Sequence, residues 1–141
     1  MLNKPSIING GFFEDFRGRL DYLNDFDLSK IKRMYFTTNA GVGFFRGWQG
    51  HKIESRWFFC VNGSFEVKLV EIDDWDNPST ILESKIYILE EKKPQVLYIP
   101  KGYINGFTSL EESSKLMILS NFNLGENTND DVRFESNKWQ I

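Results

Sequence analysis

Residues 43–64 read GFFRGWQGHKIESRWFFCVNGS, and this stretch decides the fold. Its first half, 46–51, has a strand pattern interrupted by glycines. Its second half, 57–61, is a fully apolar run that ends at Asn62-Gly63, the strongest short signal for a hairpin. The stretch also holds the only histidine of the chain, His51, and its only cysteine. Any chemistry of this protein is therefore expected here.

Strand patterns continue on both sides of this stretch. The residues after Asn62-Gly63 alternate between apolar Phe65, Val67 and Leu69 and charged residues, which predicts a strand with one solvent-exposed face. The segment KGYING, residues 101–106, is predicted to be a turn. Other runs of β-branched and aromatic residues predict strands at 34–38, 84–91, 95–100 and 115–122. No stretch keeps a helical stripe for three turns, so the prediction is an all-β fold, an antiparallel β-barrel or jelly roll.

The chain is expected to form a single domain, 1–141. Its N-terminal arm and hairpin would occupy 1–25, because Arg17-Gly18 marks a turn between two apolar segments. The barrel core would occupy 26–122. The polar residues that follow predict a C-terminal tail at 123–141.

The composition narrows the classes of function. The 141 residues include thirteen Phe, five Tyr and four Trp, an aromatic share that suits a β-rich domain. Net charge is −3 and the basic residues are scattered, so we expect no nucleic-acid partner. A local anion site lined by arginine stays open, because net charge describes the whole surface. The N-terminal residues contain no long apolar segment, so we expect no signal peptide, no membrane span and a cytoplasmic location.

Four pieces of the sequence resemble one known family. FFEDFRGRL (12–20) resembles its Phe-x-Asp-x-Arg-Gly opening, and FFRGWQGHK (44–52) resembles its Arg-Gly-x-His strand. CVNGS (60–64) and YIPKGYINGF (98–107) resemble a turn and a Pro-x-Gly-x-x-His-Gly-Phe run. The family comprises cupin-type nucleotide-sugar enzymes: dTDP-4-dehydrorhamnose 3,5-epimerases and WxcM-like dTDP-sugar 3,4-ketoisomerases. The resemblance covers 12–122 and implies a cupin-like barrel.

Three proton-carrying residues of this family are replaced here. The family's first histidine, its usual base, falls on Gln49, and its later histidine falls on Asn105. The tyrosine that epimerases use as the opposing acid would fall near Asn121-Phe122. The second histidine of the ketoisomerase pattern remains, as His51. The resemblance therefore makes His51 the candidate catalytic residue.

Both family reactions move protons on carbons beside a C4 ketone. They need a base near the carbon, a donor for the enolate oxygen and an acid for reprotonation. The amide of Gln49 cannot act as a base but can donate to a ketone or hydroxyl, whereas a histidine with an unperturbed pKa of about 6.5 suits the base. Residues two apart share one face of a strand, so Gln49 and His51 would line one cavity. A single base favours a ketoisomerase; exchange at two carbons would make Tyr35 and Tyr98 the first candidate acids.

Arginines and amides are the substrate-binding candidates. The resemblance places Arg17 and Arg46 where the family holds the phosphates or the sugar, and Arg56 where epimerases carry a phosphate-contacting lysine. The planar fork of arginine suits a diphosphate. Gln49 and Asn105 are candidates to bond sugar hydroxyls. The alternative for each residue is an ordinary solvated side chain or a bare turn.

We expect neither a metal nor another cofactor. Cupin metal sites usually take two or three histidines plus a carboxylate, and this chain has one histidine. Carboxylate-only binding by Glu54 or Glu66 stays open, although transition metals favour imidazole. Cys60 lies in an apolar run, which predicts a buried thiol without reactivity, and a single cysteine excludes an intrachain disulfide.

The leading hypothesis is a nucleotide-sugar isomerase acting on a dTDP-4-keto-6-deoxyhexose in surface polysaccharide synthesis. One alternative is a non-catalytic nucleotide-sugar-binding cupin that has lost the proton-transfer residues. A further alternative is a structural or regulatory barrel domain without a sugar ligand. The resemblance also implies a homodimer whose N-terminal strands pair across the interface, so that Arg17 would serve the neighbouring subunit's pocket.

Overall fold

All regular elements in the described part of the chain are β-strands. The computed structural model describes residues 3–139, and this part of the chain contains no helix, hence none with the length and apolar character needed to span a membrane. The strands in chain order are β1 (Ser6–Asn9), β2 (Gly11–Asp15), β3 (Gly18–Tyr22), β4 (Arg33–Thr37), β5 (Phe45–His51), β6 (Arg56–Asn62), β7 (Ser64–Glu71), β8 (Ser84–Glu90), β9 (Gln95–Ile99), β10 (Tyr103–Ser109), β11 (Lys115–Ser120) and β12 (Val132–Arg133).

The strands form two antiparallel sheets and one separate hairpin. The first sheet has the order β1-β9-β6-β11-β4, and the second has the order β12-β5-β10-β7-β8. Strands β2 and β3 pair with each other, as predicted for the N-terminal hairpin. Apolar side chains of both sheets form the core, in which Phe58 and Phe65 contact the ring of Phe107 edge-on. This arrangement confirms the predicted all-β, cupin-like antiparallel barrel.

The turn at Asn62-Gly63 does not close the predicted hairpin. Strand β6 pairs with β9 and β11, whereas β7 pairs with β8 and β10, so the turn carries the chain from one sheet to the other. Gly63 has a φ of 73°, a backbone conformation that favours glycine at a sheet corner as much as in a hairpin. Nearby, burial raises the pKa of the Cys60 thiol to about 12, so this thiol is protonated at neutral pH, as expected.

The predicted turn at 101–106 is mostly strand. Only Lys101 and Gly102 form a turn, and β10 then runs between β5 and β7 in the middle of the second sheet. Gly106 contributed to the prediction of a turn. In the structure it allows the ring of Phe45 to pack against the backbone, because a Cβ there would lie 2.1 Å from that ring. A glycine that allows close packing and a glycine in a turn give the same signal in a sequence.

The barrel extends beyond the predicted core of 26–122. Strand β1, in the predicted N-terminal arm, pairs with β9, and β12, in the predicted tail, pairs with β5. The tail is also anchored by Trp139, whose ring lies 5.6 Å from that of Trp48. Strands of two to four residues are too short to show an alternating pattern, so the sequence did not reveal them.

A bulge in β5 positions the functional side chains. In the pairing of β5 with β10, Gly47 lies opposite Gly106 and Gln49 lies opposite Asn105, so Trp48 is an extra residue. The extra residue changes which side chains share a face. Trp48 packs outside the barrel in an apolar cluster, while Arg46, Gln49 and His51 all line one interior cleft.

Candidate active site

A polar cleft of about 380 Å³ opens at one end of the barrel. Its walls come from β4, β5, β6 and the loop that precedes β12. A cavity of this size is within the range of small-molecule sites. Its lining residues are Arg33, Tyr35, Arg46, Gln49, His51, Glu54, Arg56, Asn123, Leu124, Gly125, Asn127, Thr128, Asp131 and Arg133.

The ring of His51 is fixed by a hydrogen bond to the backbone of Asp130. Nδ1 lies 2.8 Å from the Asp130 carbonyl oxygen, which can only accept, so Nδ1 carries the proton in the neutral ring. Nε2 then keeps its lone pair. Burial, followed by the charge of Arg56, lowers the pKa of His51 below its usual value. His51 is therefore a neutral imidazole at pH 7, in the protonation state of a general base.

The carboxylate of Asp130 joins the C-terminal loop to the barrel. It accepts hydrogen bonds from the backbone N–H groups of Lys52, Ile53 and Glu54, at 2.6, 3.0 and 2.9 Å. These three donors follow directly after His51 in the chain. The same loop residue therefore holds the turn after β5 with its carboxylate and orients the imidazole with its carbonyl group.

A buried ion pair forms the floor of the cleft. Arg56, only 5% exposed, contacts the Glu54 carboxylate at 2.9 Å and donates a second hydrogen bond to the Tyr35 hydroxyl at 2.7 Å. Glu54 also accepts a hydrogen bond of 2.7 Å from the Ser120 hydroxyl. These contacts place a fixed positive charge in the same cleft as His51.

Further arginines stand nearer the mouth of the cleft. Arg133 forms an ion pair with Asp131, which also accepts a hydrogen bond of 2.8 Å from the amide of Gln49. Arg33 stacks over the Tyr35 ring at 4.7 Å. Within residues 3–139, the side chain of Arg46 has neither an ion pair nor a hydrogen bond. The cleft thus offers an unoccupied guanidinium beside other cations, which suits an anionic ligand.

The structure brings most of the predicted site residues together. Arg46, Gln49, His51 and Arg56 line the same cleft, and Asn105 lines a deeper chamber that adjoins it. Arg17 lies elsewhere. Its side chain is exposed in the β2–β3 hairpin and pairs with Asp15 at 2.7 Å, and it does not line the cleft of its own chain.

Sequence reasoning missed the contribution of the C-terminal loop. Asp130, Asp131 and Arg133 lie in the segment predicted to be a tail, yet they orient His51, bind Gln49 and add a cation. The separation along the chain explains the omission, because Asp130 contacts His51 across 79 residues. The alternation of Val132, Arg133 and Phe134 was the one available signal for a strand there.

One group of side chains has the composition of a metal site. Ligand atoms of His51, Glu54 and Asp130 lie within 4.8 Å of one another. Each is already engaged: Nδ1 of His51 with a carbonyl group, Glu54 with Arg56, and the Asp130 carboxylate with backbone N–H groups. The Arg56 guanidinium would also repel a cation. The residues present therefore do not fit a resident metal, and Glu66 lies outside this group.

The two antiparallel sheets and the polar, arginine-lined cleft at one end define a cupin-like barrel. The family model FdtA, described as WxcM-like, C-terminal, matches residues 4–138. The chain belongs to this family. No curated protein sequence matches it.

Solved structures of enzymes resemble this chain over nearly its whole length. A 3,4-ketoisomerase, QdtA from Thermoanaerobacterium thermosaccharolyticum, in complex with TDP-4-keto-6-deoxyglucose, is 27% identical, with a TM-score of 0.71 over 95% of this chain and 90% of that one. A 3,4-ketoisomerase from Helicobacter canadensis is 25% identical, with a TM-score of 0.69 over 92% and 90%. The dTDP-4-dehydrorhamnose 3,5-epimerase of Bacillus anthracis, at 17% identity and a TM-score of 0.77 over 97% and 83%, shares the fold.

Proposed function

We propose that this protein is a sugar-nucleotide 3,4-ketoisomerase that acts on a dTDP-4-keto-6-deoxyhexose in surface polysaccharide synthesis. The observation that carries the proposal is the state of His51: a buried, neutral imidazole whose Nδ1–H is committed to the Asp130 carbonyl. Such a ring presents one base, Nε2. Ketoisomerisation needs one base that takes a proton from C3 and returns a proton to C4, whereas a double epimerisation needs proton transfer at two carbons.

The reaction would proceed through an enediolate. Nε2 of His51 removes the proton at C3, and the electron pair of that C–H bond forms the C3–C4 double bond while the C4 oxygen becomes negative. Arg56 stabilises this oxygen, because its charge is buried and held by Glu54 rather than solvated. The hydroxyl proton on O3 moves to O4, the C3 carbonyl forms, and the His51 imidazolium protonates C4. No proton is gained or lost overall, as an isomerisation requires.

Tyr35 is the better supported of the two tyrosines considered as proton carriers. It lines the cleft, and its hydroxyl oxygen accepts a hydrogen bond from Arg56 at 2.7 Å, which leaves its O–H as a donor towards a sugar oxygen. Tyr98 packs against Trp57 on the outer face of the first sheet, with ring centroids 5.3 Å apart. Tyr35 would therefore assist the exchange of the proton between O3 and O4.

The nucleotide would be anchored by arginines at the mouth. Arg46 would clamp the diphosphate, supported by its lack of a partner within the described residues and by Arg33 and Arg133 in the same cleft. Arg17 would contribute from a second subunit, in a homodimer built through the exposed β2–β3 hairpin. The aromatic residue at the tip of that hairpin, Phe16, is 97% exposed, as expected for a group that packs against another chain.

A non-catalytic nucleotide-sugar binder is the second candidate. The residues that favour it are Gln49 and Asn105, which replace the two family histidines. The Gln49 amide is bonded to Asp131 and adds no base to the cleft. A binder of this kind would keep the arginine-lined mouth and lose proton transfer at the floor.

Proton exchange tests the proposal directly. The protein is incubated with dTDP-4-keto-6-deoxyglucose in D2O, and the 3-keto product and deuterium at C3, C4 and C5 are followed by NMR. A ketoisomerase forms the 3-keto sugar with deuterium at C4, and reversal of the reaction brings deuterium to C3 of the 4-keto sugar. Absence of the 3-keto product together with exchange no faster than in buffer rules out this activity. Titration with dTDP by calorimetry then separates the remaining classes, because a binder has affinity that Arg46→Ala weakens and a structural domain has none. Exchange at both carbons would indicate an epimerase.

A further inference from the structure

A small chamber lies beside the cleft, deeper in the barrel. It has a volume of about 30 Å³ and shares His51, Arg56 and Tyr35 with the lining of the cleft. Thr37, on β4, and Asn105, on β10, line the chamber and not the cleft. The chamber therefore adjoins the cleft at the proposed base.

Two polar atoms around this chamber have no hydrogen-bond partner. The Oγ1 atom of Thr37 and the Nε atom of Arg56 are both buried, and their residues are 8% and 5% exposed. Most buried polar groups in folded proteins are paired, since an unpaired one has lost its hydrogen bonds to water without replacement. Elsewhere on the floor, the other Arg56 nitrogens are satisfied by Tyr35 and Glu54. Two unpaired atoms on residues of one chamber therefore indicate a polar group that binds in it.

Size and donor chemistry restrict that group. One water occupies about 30 Å³ in the liquid, so the chamber has room for a hydroxyl or a carbonyl oxygen but not for a sugar ring. Arg56 Nε can only donate a hydrogen bond, whereas the Thr37 hydroxyl can donate or accept. A hydroxyl group satisfies both atoms at once, because it can accept from Arg56 and donate to Thr37. The apolar part of the wall is formed by Phe58, Phe107 and Ile118, and the polar part also includes Arg46, Gln49 and Asn105.

We propose that Thr37 determines specificity, by binding with Arg56 one hydroxyl or keto oxygen of the sugar in this chamber. The inference rests on the proposed function, since it assumes a sugar nucleotide in the cleft. The protein would then distinguish a sugar that carries oxygen at this position from one that carries hydrogen, because only the former pairs the two buried atoms.

Substitution of Thr37 tests the inference. Thr37→Val keeps the shape and removes the hydroxyl, and Thr37→Ser is the matched control that keeps the hydroxyl. Affinities for dTDP-4-keto-6-deoxyglucose and for dTDP are measured by calorimetry on the full chain. We expect Thr37→Val to bind the sugar nucleotide about tenfold more weakly, the equivalent of one hydrogen bond, with unchanged dTDP affinity. Thr37→Ser should retain the wild-type ratio of the two affinities.

Thermal unfolding without ligand is a second measurement. Here Thr37→Val should stabilise the protein, whereas it should weaken binding of the sugar nucleotide. Because Thr37→Val removes an unpaired buried hydroxyl, the unliganded variant should melt a few degrees higher than wild type. A lower melting temperature with an unchanged affinity ratio would mean that a resident water already satisfies Thr37, and would overturn the inference. An unchanged ratio in a variant that still binds both ligands overturns it as well. If the wild type binds neither ligand, the proposed function itself fails, and this inference with it.

Discussion

The floor of the cleft and the β2–β3 hairpin both place arginine beside aromatic rings, yet their surroundings differ. On the floor, Arg56 is buried and bonded to Glu54 and Tyr35, residues held in place by the barrel. In the hairpin, Arg17 is exposed, pairs with Asp15 two residues away, and lies 6.0 Å from the ring of Phe16. The first arrangement is fixed by the fold of one chain. In the second, the arginine is held only by a neighbour two residues away, and the role proposed for Arg17 requires a second subunit.

This difference predicts where substitutions are costly. A charge held by packing in the interior cannot be removed without leaving its partner buried and unpaired, whereas an exposed charge is already solvated. Floor substitutions should therefore alter stability strongly. Hairpin substitutions should leave the stability of the chain unchanged and alter only contacts with a second molecule.

Arg56→Leu is expected to have the largest effect. It leaves the Glu54 carboxylate buried without its ion-pair partner, which should lower the free energy of unfolding by about 3–5 kcal/mol in urea denaturation. The double variant Glu54→Leu, Arg56→Leu is the control, because it removes both charges and should recover most of the loss. A loss below about 1 kcal/mol in the single variant would show that the floor charge is solvated like the hairpin charge.

Asp130→Ala is expected to come next. It removes the acceptor of three backbone hydrogen bonds and should lower the free energy of unfolding by about 2 kcal/mol. Nitrogen NMR of the imidazole provides the specific readout. The backbone carbonyl that orients His51 stays in this variant, but the loop that carries it loses its anchor. The wild type should therefore show the Nδ1–H form of His51, and the variant a mixture of both neutral forms. A single unchanged form would mean that the Asp130 carboxylate is not needed to position the carbonyl group.

Acidification should destabilise the protein through His51. Burial, and then the Arg56 charge, lowers the pKa of this histidine in the folded state. The unfolded chain therefore binds the proton first as pH falls below about 6.5, and stability drops by up to about 1.4 kcal/mol per pH unit until the folded-state pKa is reached. Urea titrations from pH 5 to pH 8 should show this slope in wild type and a smaller slope in His51→Gln. Equal slopes would place the histidine outside the buried floor.

Arg46→Ala should weaken dTDP binding by about tenfold and leave stability nearly unchanged. Its side chain is at the mouth and has no partner in the described structure, so nothing is left unpaired. Calorimetry with dTDP measures the effect, and Lys101→Ala, in a turn outside the cleft lining, is the matched control. Equal dTDP affinities in Arg46→Ala and Lys101→Ala would show that Arg46 does not bind the phosphates.

Phe16→Ser should produce the smallest effect on stability. This side chain is almost fully exposed, so the free energy of unfolding of the single chain should change by less than about 0.5 kcal/mol. Sedimentation should nonetheless shift from dimer towards monomer. A wild-type protein that sediments as a monomer would end the proposal that Arg17 serves a second subunit.

The sequence allowed the prediction of much of the fold and of one wall of the site. Alternating and apolar runs located the strands, and a two-residue spacing predicted that Gln49 and His51 share a face. It could not reveal the β5 bulge that adds Arg46 to that face, because one extra residue leaves no mark in composition. Nor could it reveal Asp130, because a contact across 79 residues follows no local pattern. The prediction of a hairpin at Asn62-Gly63 was wrong, because a corner between two sheets and a hairpin turn need the same backbone conformation.

The most direct test of the central claim compares wild type with His51→Gln in D2O. Both proteins are incubated with dTDP-4-keto-6-deoxyglucose, the rates of 3-keto sugar formation and of deuterium incorporation at C3 and C4 are measured by NMR, and dTDP affinity is measured on the same samples. If His51 is the single base, the variant should lose at least about a hundredfold in exchange rate and keep its dTDP affinity. Exchange at the wild-type rate in His51→Gln would contradict the claim.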